Sequence, residues 1–412
     1  FNADYDLLNN FFSAIDWGYE FNSLNVNEKV DVLYEILFTG IELFTPKKLI
    51  KNKASYPKWF DKELKSMCFQ KRLAHSKFKN TNSLVDYQHF KTLRSSCKDR
   101  NRQLYSSYIA EVDRSISRDP KFFWRFVSDR RNVDGIPNSV SLKEESADNG
   151  ADIANLFAKY FSSVYVKPSD GDFICDFPQQ EVFDSGLKVT IVDVFEAISN
   201  LKASASIGPD GVPSVVLKKC IFTLTTPLFM IFEASLRTAI FPDLWKKSYV
   251  IPIFKHGKQD NVENYRGVCN QSVIPKILDS IVSKQLQWLS SSVLTSNQHG
   301  FMKGKSSLSN LLSYSMFINE AFEARIQVHS VYTDFAKAFD RVDHNILISK
   351  LNYFGFHHDT VNWLLSFLSG RQQQVRIGNF KSNSFEVPSG VPQGTHCGPV
   401  LFLIFINDLQ FN

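Results

Sequence analysis

Two stretches of the chain carry residue types that can act on metals and phosphates. Residues 329–340 read HSVYTDFAKAFD, whose alternating apolar pattern predicts a strand delivering Asp334 at its end, then a turn into a helix starting near Asp343. A carboxylate on such a rigid element can hold a hard divalent cation, although an Asp after a strand more often caps a turn. Residues 389–402 read SGVPQGTHCGPVLF, which predicts a Pro-Gln-Gly turn entering a strongly apolar helix that ends near Asn407 and Asp408. Gly394 lets the backbone come close to a ligand there, and Gln393 presents an amide beside the opening. Taken only as structure, the same turn is a helix entry. Metal-dependent phosphoryl chemistry around Asp334 is one reaction class that these residue types permit.

The elements that must position these residues come from a chain of 412 residues, 43% hydrophobic and 14% aromatic, enough to bury substantial cores in two or three domains. No run of about 18 apolar residues occurs. The longest candidates, 227–232 and 400–406, are too short to span a bilayer and read as buried helix segments. The first residue is Phe1, without Met, basic leader or apolar signal core, so the chain is expected to begin inside a longer open reading frame or an edited one. Cysteines stand singly at Cys68, Cys97, Cys175, Cys220, Cys269 and Cys397, which argues against a disulfide framework or a structural zinc site and for a reducing compartment. The net charge of +5 hides an asymmetry: about 22 Lys and Arg face about 8 Asp and Glu between Lys47 and Arg131, leaving the remainder net acidic.

Val30, Leu33, Tyr34, Leu37 and Phe38 fall three and four apart and predict one packed helix before residue 44. From Trp59 to about Tyr108, apolar residues such as Leu64, Phe78, Tyr87 and Leu93 recur at helical intervals in a Lys- and Arg-rich background. They predict two long basic helices, whose charge is either a solvated face or a surface for phosphate backbones. Phe122, Phe123, Trp124 and Phe126 are expected to dock that region onto the rest. Residues 132–150 and 167–184 read as loops around a short helix at 151–165, and a domain boundary is placed near Gly186. Thr190 and Asp193 form a capping-box-like start for a helix carrying Val194, Phe195, Ile198 and Leu201.

Taken together, the two chemical stretches resemble the DFxKAFDxVxH and SGVPQGxxxGPxLF blocks of reverse transcriptases from jockey-like non-LTR retrotransposons. Upstream, residues 245–286, which include NYRG, resemble the fingers blocks of that family with its NYRP stretch. GPDGVP at 208–213 and QHGFMKGKSS at 298–307 stand in the family's order and spacing. PKWFDKEL at 57–64 and the basic helices after it resemble the region between endonuclease and polymerase. The resemblance implies an RNA-directed DNA polymerase of α+β class, with the fingers and a partial palm of a right-hand polymerase. A small mixed or antiparallel sheet covered by helices would follow a mainly helical basic extension. The implied division is 1–132 for the extension, 133–186 for a loop-rich connector, 187–328 for the fingers and 329–412 for the palm.

By position in these blocks, Asp334 becomes the catalytic metal ligand with the carbonyl of Phe335 beside it, and Mg2+ the expected cofactor. Phe339 becomes a sugar gate whose ring crowds a ribose 2′-hydroxyl. Gln393 and Gly394 would meet the incoming nucleotide, and Arg266 with Lys255 or Lys258 its triphosphate, for which the planar guanidinium is well suited. Lys71, Arg72, Lys77, Lys79, Arg94, Lys98, Arg100 and Arg102 would hold nucleic acid. The implied partners are template RNA, a DNA primer at the target site and deoxynucleoside triphosphates, without a membrane, in a ribonucleoprotein of nucleus and cytoplasm. Asp340, Arg341, Asp343 and His344 are assigned structure, His344 as a hydrogen-bonded helix-start residue.

Gly267 stands where the family has Pro, Met302 where a basic residue is common, and Thr395 to Cys397 replace Ser-x-Leu. The family's Ala-Asp-Asp block is absent from the sequence. A lone Asp334 does not offer the oxygen ligands that two cations need. The chain is therefore expected to be truncated before that block and not to polymerise. The reading from another class is a non-catalytic RNA-binding protein derived from a retrotransposon.

Overall fold

The computed structural model describes residues 3–46, 56–131, 136–169 and 185–410, apart from the side chains of 125, 128–131 and 410. Cys175 and most of the loop expected at 167–184 lie outside the described residues. The chain divides into two compact units, one of Phe1–Pro46 with Pro137–Asn412 and one of Lys47–Ile136.

The larger unit begins with α1 (Tyr5–Ser13), α2 (Trp17–Glu20) and α3 (Val26–Phe44). Asn25 and Glu28 close a capping box at the start of α3. The helix buries Val30, Leu33, Tyr34 and Leu37, the stripe its sequence predicts, while Phe38 at the edge of that stripe stays exposed. The expected extension of 1–132 is thus divided. Leu8, Phe12, Leu33 and Leu37 share one core with Leu224, Leu228 and Ile231, far along the chain. Each fully buried side chain of this size contributes about 1.5–3 kcal/mol, so these helices belong with the apolar partners that cover them. Tyr34 reinforces the join by donating to Asp210 of the GPDGVP stretch at 2.6 Å, and burial pushes the Asp210 carboxyl up from its ordinary value.

The smaller unit is a helical hairpin of α4 (Lys62–Thr81) and α5 (Leu84–Arg118), followed by α6 (Pro120–Arg131). Asn82, in the left-handed region at φ 48°, makes the tight turn between its long helices. Ring pairs hold it: His75 on Phe90 at 4.7 Å, Phe78 on Tyr87 at 5.1 Å, and Trp59 on Tyr105 at 5.0 Å. Phe122 and Phe126 pack on Tyr108 of α5, while Trp124 is exposed.

The larger unit resumes with β1 (Val140–Leu142) and β2 (Glu145–Ala147), a small hairpin where the sequence reads as loop. Strands of three residues are too short for period-two alternation to register. Next come α7 (Gly150–Ser163), α8 (Ile191–Ser199), α9 (Ser214–Lys219), α10 (Ile221–Thr238), β3 (Lys247–Phe254), β4 (Tyr265–Gln271), α11 (Val273–Ser290) and α12 (Ser307–Glu323). The capping box of Thr190 and Asp193 opens α8 as expected. Then follow α13 (His344–Tyr353), α14 (His358–Leu368), β5 (Gln372–Ile377), β6 (Phe380–Lys381), β7 (Phe385–Glu386) and α15 (Cys397–Ile406). The sheet is mixed. In it β3 pairs antiparallel with β4 and parallel with β5, which also takes β6 and β7 along its other edge. Helix α15 is apolar all round and accordingly buried, from Cys397 to Ile404 with only Pro399 half-buried.

The strand expected to deliver Asp334 is not formed. Residues 326–335 have no ladder partner among the described residues, and Val331 and Tyr332 are 86% and 82% exposed. A strand needs a neighbour's N–H and C=O groups on at least one edge and cover on its apolar face, and the described residues supply neither. The segment is tied instead to α12 through side chains, Tyr314 bonding Ser330 and receiving a bond from Tyr332 at 3.2 Å. Helix α12 is itself unusually bare, with Leu308, Leu311, Leu312, Phe317 and Phe322 all exposed.

Candidate active site

Three local structures in the larger unit converge on one concavity. The β3–β4 hairpin supplies cations: Arg266 sits opposite Ile253 in the antiparallel register, and the N–H of Lys255 donates to the carbonyl of Asn264 at 2.9 Å to close the connection. A compact turn follows Asp334, in which the N–H groups of Asp340 and Arg341 donate to the carbonyl of Lys337 at 3.0 and 3.2 Å. Lys337 itself adopts the left-handed region at φ 56°. The Pro-Gln-Gly turn is the third. Its Gln393 carbonyl accepts from Cys269 N–H of β4 at 2.8 Å, and Thr395 Oγ1 donates back to the Pro392 carbonyl at 2.9 Å.

Together these enclose a cavity of about 480 Å3 lined by Lys255, Arg266, Asp334, Phe335, Phe339 and Gln393 among others. That volume suits a ligand of nucleotide size. Phe339 is half-buried, stacked on Phe402 of α15 at 4.9 Å and 18°, so its ring has a fixed orientation in the wall. Its carbonyl accepts from Val391 N–H at 2.8 Å, joining the Asp334 turn to the Gln393 turn. His344 makes a second join. It is buried at the start of α13 with Nε2 at 2.7 Å from the Gly390 carbonyl, which requires the proton on that nitrogen. Burial holds the imidazole below its usual value.

Two of the expected nucleotide contacts are not among the residues lining the cavity. Lys258 lies exposed in the β3–β4 connection, where its carbonyl receives Asn264 Nδ2 at 2.9 Å. Gly394 does allow a close approach, but to protein: a Cβ there would stand 2.7 Å from the Cys269 carbonyl, and φ is +114°. Of the expected nucleic-acid residues in the smaller unit, Arg72, Lys79, Arg94, Lys98 and Arg102 are exposed and Lys71 is half-exposed. Arg100 is committed to Asp61 and Glu63, both at 2.7 Å, and Lys77 to Asp86 at 2.9 Å.

Sequence reasoning overlooked one wall. Tyr160, Phe161, Val164 and Tyr165, from α7 and the residues just after it, line the cavity, and only the amphipathic pattern of that helix hinted at a buried face. Tyr165 donates to Gln373 of β5 at 3.0 Å, and burial raises its phenol well above the ordinary value. Lys337 and Asp340 line the cavity as well, Lys337 with its ammonium 4.9 Å from the centre of the Tyr160 ring. Burial raises the Asp340 carboxyl even though Lys337 and Arg341 pull the other way.

With this geometry in place, likeness to known proteins can be set beside it. Residues 253–412, which hold most of the cavity, match the family model described as "Reverse transcriptase (RNA-dependent DNA polymerase)". That segment is a reverse transcriptase domain. Over 278 residues the chain is 30% identical to the probable RNA-directed DNA polymerase from transposon BS of Drosophila melanogaster, covering 64% of this chain and 30% of that protein. It is 26% identical over 300 residues to the RNA-directed DNA polymerase from mobile element jockey of Drosophila funebris, covering 69% of this chain and 32% of the relative. The polyprotein from the type-1 retrotransposable element R2 of Popillia japonica is 27% identical over 169 residues, 41% of this chain and 24% of its own. The chain thus spans about a third or less of these relatives. Outside the reverse transcriptase domain, α7 supplies a wall of the same cavity.

Proposed function

We propose that the chain is part of an RNA-directed DNA polymerase and that its cavity binds a deoxynucleoside triphosphate. The observation that carries this reading is the shared wall: a carboxylate (Asp334), two cations (Lys255, Arg266), an amide (Gln393) and a fixed aromatic ring (Phe339) face one space of nucleotide volume. Lys255 and Arg266 bind the triphosphate oxygens, Arg266 through a planar fork. Gln393 orients the base or sugar from the opposite turn, and Phe339 blocks a 2′-hydroxyl by steric contact. In right-hand terms, the β3–β4 hairpin is a finger and the Asp334 and Gln393 turns are palm. Asp334 is exposed on the wall beside the Phe335 carbonyl, a hard-oxygen pair that suits Mg2+. Mg2+ held there would neutralise developing charge on phosphate oxygens.

The exposed cations of α4 and α5 support a second element of the same reading, a grip on template RNA through phosphates. Arg72, Lys79, Arg94, Lys98 and Arg102 remain for this role, while Lys77 and Arg100 serve their ion pairs. About five or six phosphate contacts give a loss of about a thousandfold in RNA affinity between roughly 50 and 200 mM salt. Calorimetric titration of Mg–dGTP into the chain tests the nucleotide site. Binding weakened by Arg266→Gln and by Asp334→Asn supports it, and binding indifferent to both removes it. A salt titration with a structured RNA tests the helices: changing Arg72, Lys79, Arg94 and Arg102 to Gln should flatten the slope. A slope that stays the same would leave those charges as a solvated face.

A further inference from the structure

The Pro-Gln-Gly turn leads into α15, yet the residue at the cap, His396, offers no side-chain bond to the helix N-terminus. The first amides of a buried helix need acceptors, and here they come from a different helix. Asp279, in the middle of α11, is wholly buried. Its Oδ2 accepts from His396 N–H at 2.6 Å and its Oδ1 from Cys397 N–H at 3.0 Å. The same Oδ2 also accepts from Gln271 Nε2 of β4 at 3.1 Å. One turn along α11, Ser283 Oγ donates to the His396 carbonyl at 2.9 Å, so both backbone polar groups of His396 are bonded to α11.

A buried carboxylate is costly unless its charge is answered. The α15 N-terminus supplies positive partial charge. The guanidinium of fully buried Arg371 supplies a further favourable field: burial pulls it below its usual value, while Cys269, Asp279 and Tyr165 draw it up. The N–H of Cys269 fastens the Gln393 carbonyl, so the turn is held on one side by β4 and on the other by Asp279.

We propose that Asp279 is the positioning residue of the nucleotide site, placing Gln393 by capping α15 from α11. This rests on the reading of the cavity as a nucleotide site. Asp279 is not among the residues lining the cavity, so it acts only through the turn. Replacing it by Asn keeps the shape but turns an NH2 group toward one of the two N–H donors, that of buried Cys397 or that of part-buried His396, whichever way the amide is flipped. An unanswered donor of that kind is enough to displace the turn.

The test is Mg–dGTP affinity of the full chain, measured by calorimetry alongside near-ultraviolet circular dichroism. Asp279→Asn is expected to weaken binding about tenfold with the folded signature kept. In combination with Gln393→Ala it should add less than about twofold to the effect of Gln393→Ala alone, because both act at the same contact. Leu228→Ala in α10, which destabilises through a cavity elsewhere in the core, should leave affinity unchanged. Full additivity, or weakening by Leu228→Ala equal to that by Asp279→Asn, would overturn the positioning role. Should Asp279→Asn lose its folded signature, Ser283→Ala takes its place: weaker binding supports the proposal and unchanged binding overturns it. If the unaltered chain does not bind Mg–dGTP, the nucleotide site itself falls and this role with it. Binding that responds to Gln393→Ala but not to Asp279→Asn defeats the positioning role alone.

Discussion

The two turns that line the cavity beside each other are anchored in opposite ways. The Gln393 turn is bedded in the fold: Ser389, Gly390, Val391 and Pro392 are buried, and its peptides bond to β4, to α11 and to the Asp334 turn. The approach to Asp334 is bare, with Val331, Tyr332 and Phe335 exposed and only side-chain bonds joining it to α12. One side of the site is therefore fixed by backbone hydrogen bonds, while the approach to Asp334 is held through side chains, Tyr332 and Ser330 on Tyr314 and Phe335 on Phe402. Affinity from the fixed side can be read from local geometry, whereas the place of Asp334 is set by whatever packs on that segment.

The largest expected contrast is in hydrogen exchange. The amides of Cys269, Val391 and Cys397 should exchange at least about a thousandfold more slowly than those of residues 328–335, as expected for core and frayed segments. Similar rates on the two sides would break the comparison. Next in size is the response to substitution. Gly390 has φ +88°, and a Cβ there would stand 2.7 Å from the Phe339 carbonyl and 2.8 Å from that of Asp340. Gly390→Ala should therefore cost about 2–4 kcal/mol in denaturant unfolding, while Asp334→Ala leaves the midpoint within the scatter of surface changes.

A smaller effect is expected from pH. His344 is held below its ordinary value by burial, so the unfolded chain binds the proton more readily. Its contribution to stability is then present above the unfolded value, about 6.5, and is lost as pH falls from there toward the folded value. Melting temperature should drop between pH 7 and pH 5.5, and His344→Gln should flatten that drop; an equal drop in both would remove His344 as its source. The smallest effect is Tyr332→Phe, which removes an exposed bond to Tyr314 and should leave the unfolding midpoint unmoved. A clear shift would mean that the Asp334 side is better anchored than it looks.

Much of this architecture was legible in the residues. The stripe of Val30, Leu33, Tyr34 and Leu37, the Thr190 capping box and the apolar helix after Gln393 are local patterns, and local patterns survive folding. The charge excess between Lys47 and Arg131 nearly coincides with the smaller unit, Lys47–Ile136. What escaped was long-range. Alternation at 329–334 reads as a strand only if a neighbour completes the ladder, and no periodicity reports the neighbour. Gly394 reads as an opening toward a ligand when it opens toward Cys269, and no local pattern singles out Asp279. The grouping of α1 and α3 with α10 was likewise invisible, because a stripe announces that it will be covered without saying by what.

That last grouping carries a consequence for how the protein is made. Residues 47–136 form a unit of their own, so the ribosome completes an entire hairpin between α3 and the helix that covers it. Helix α10 ends about two hundred residues after α3 begins, a delay on the order of ten to forty seconds at ordinary rates of synthesis. Throughout that interval the stripe of Leu33 and Leu37 lacks the α10 side chains of its core, Leu224, Leu228 and Ile231. The nascent chain therefore presents a sticky helix early and shelters it late, and chaperone capture should peak before α10 emerges.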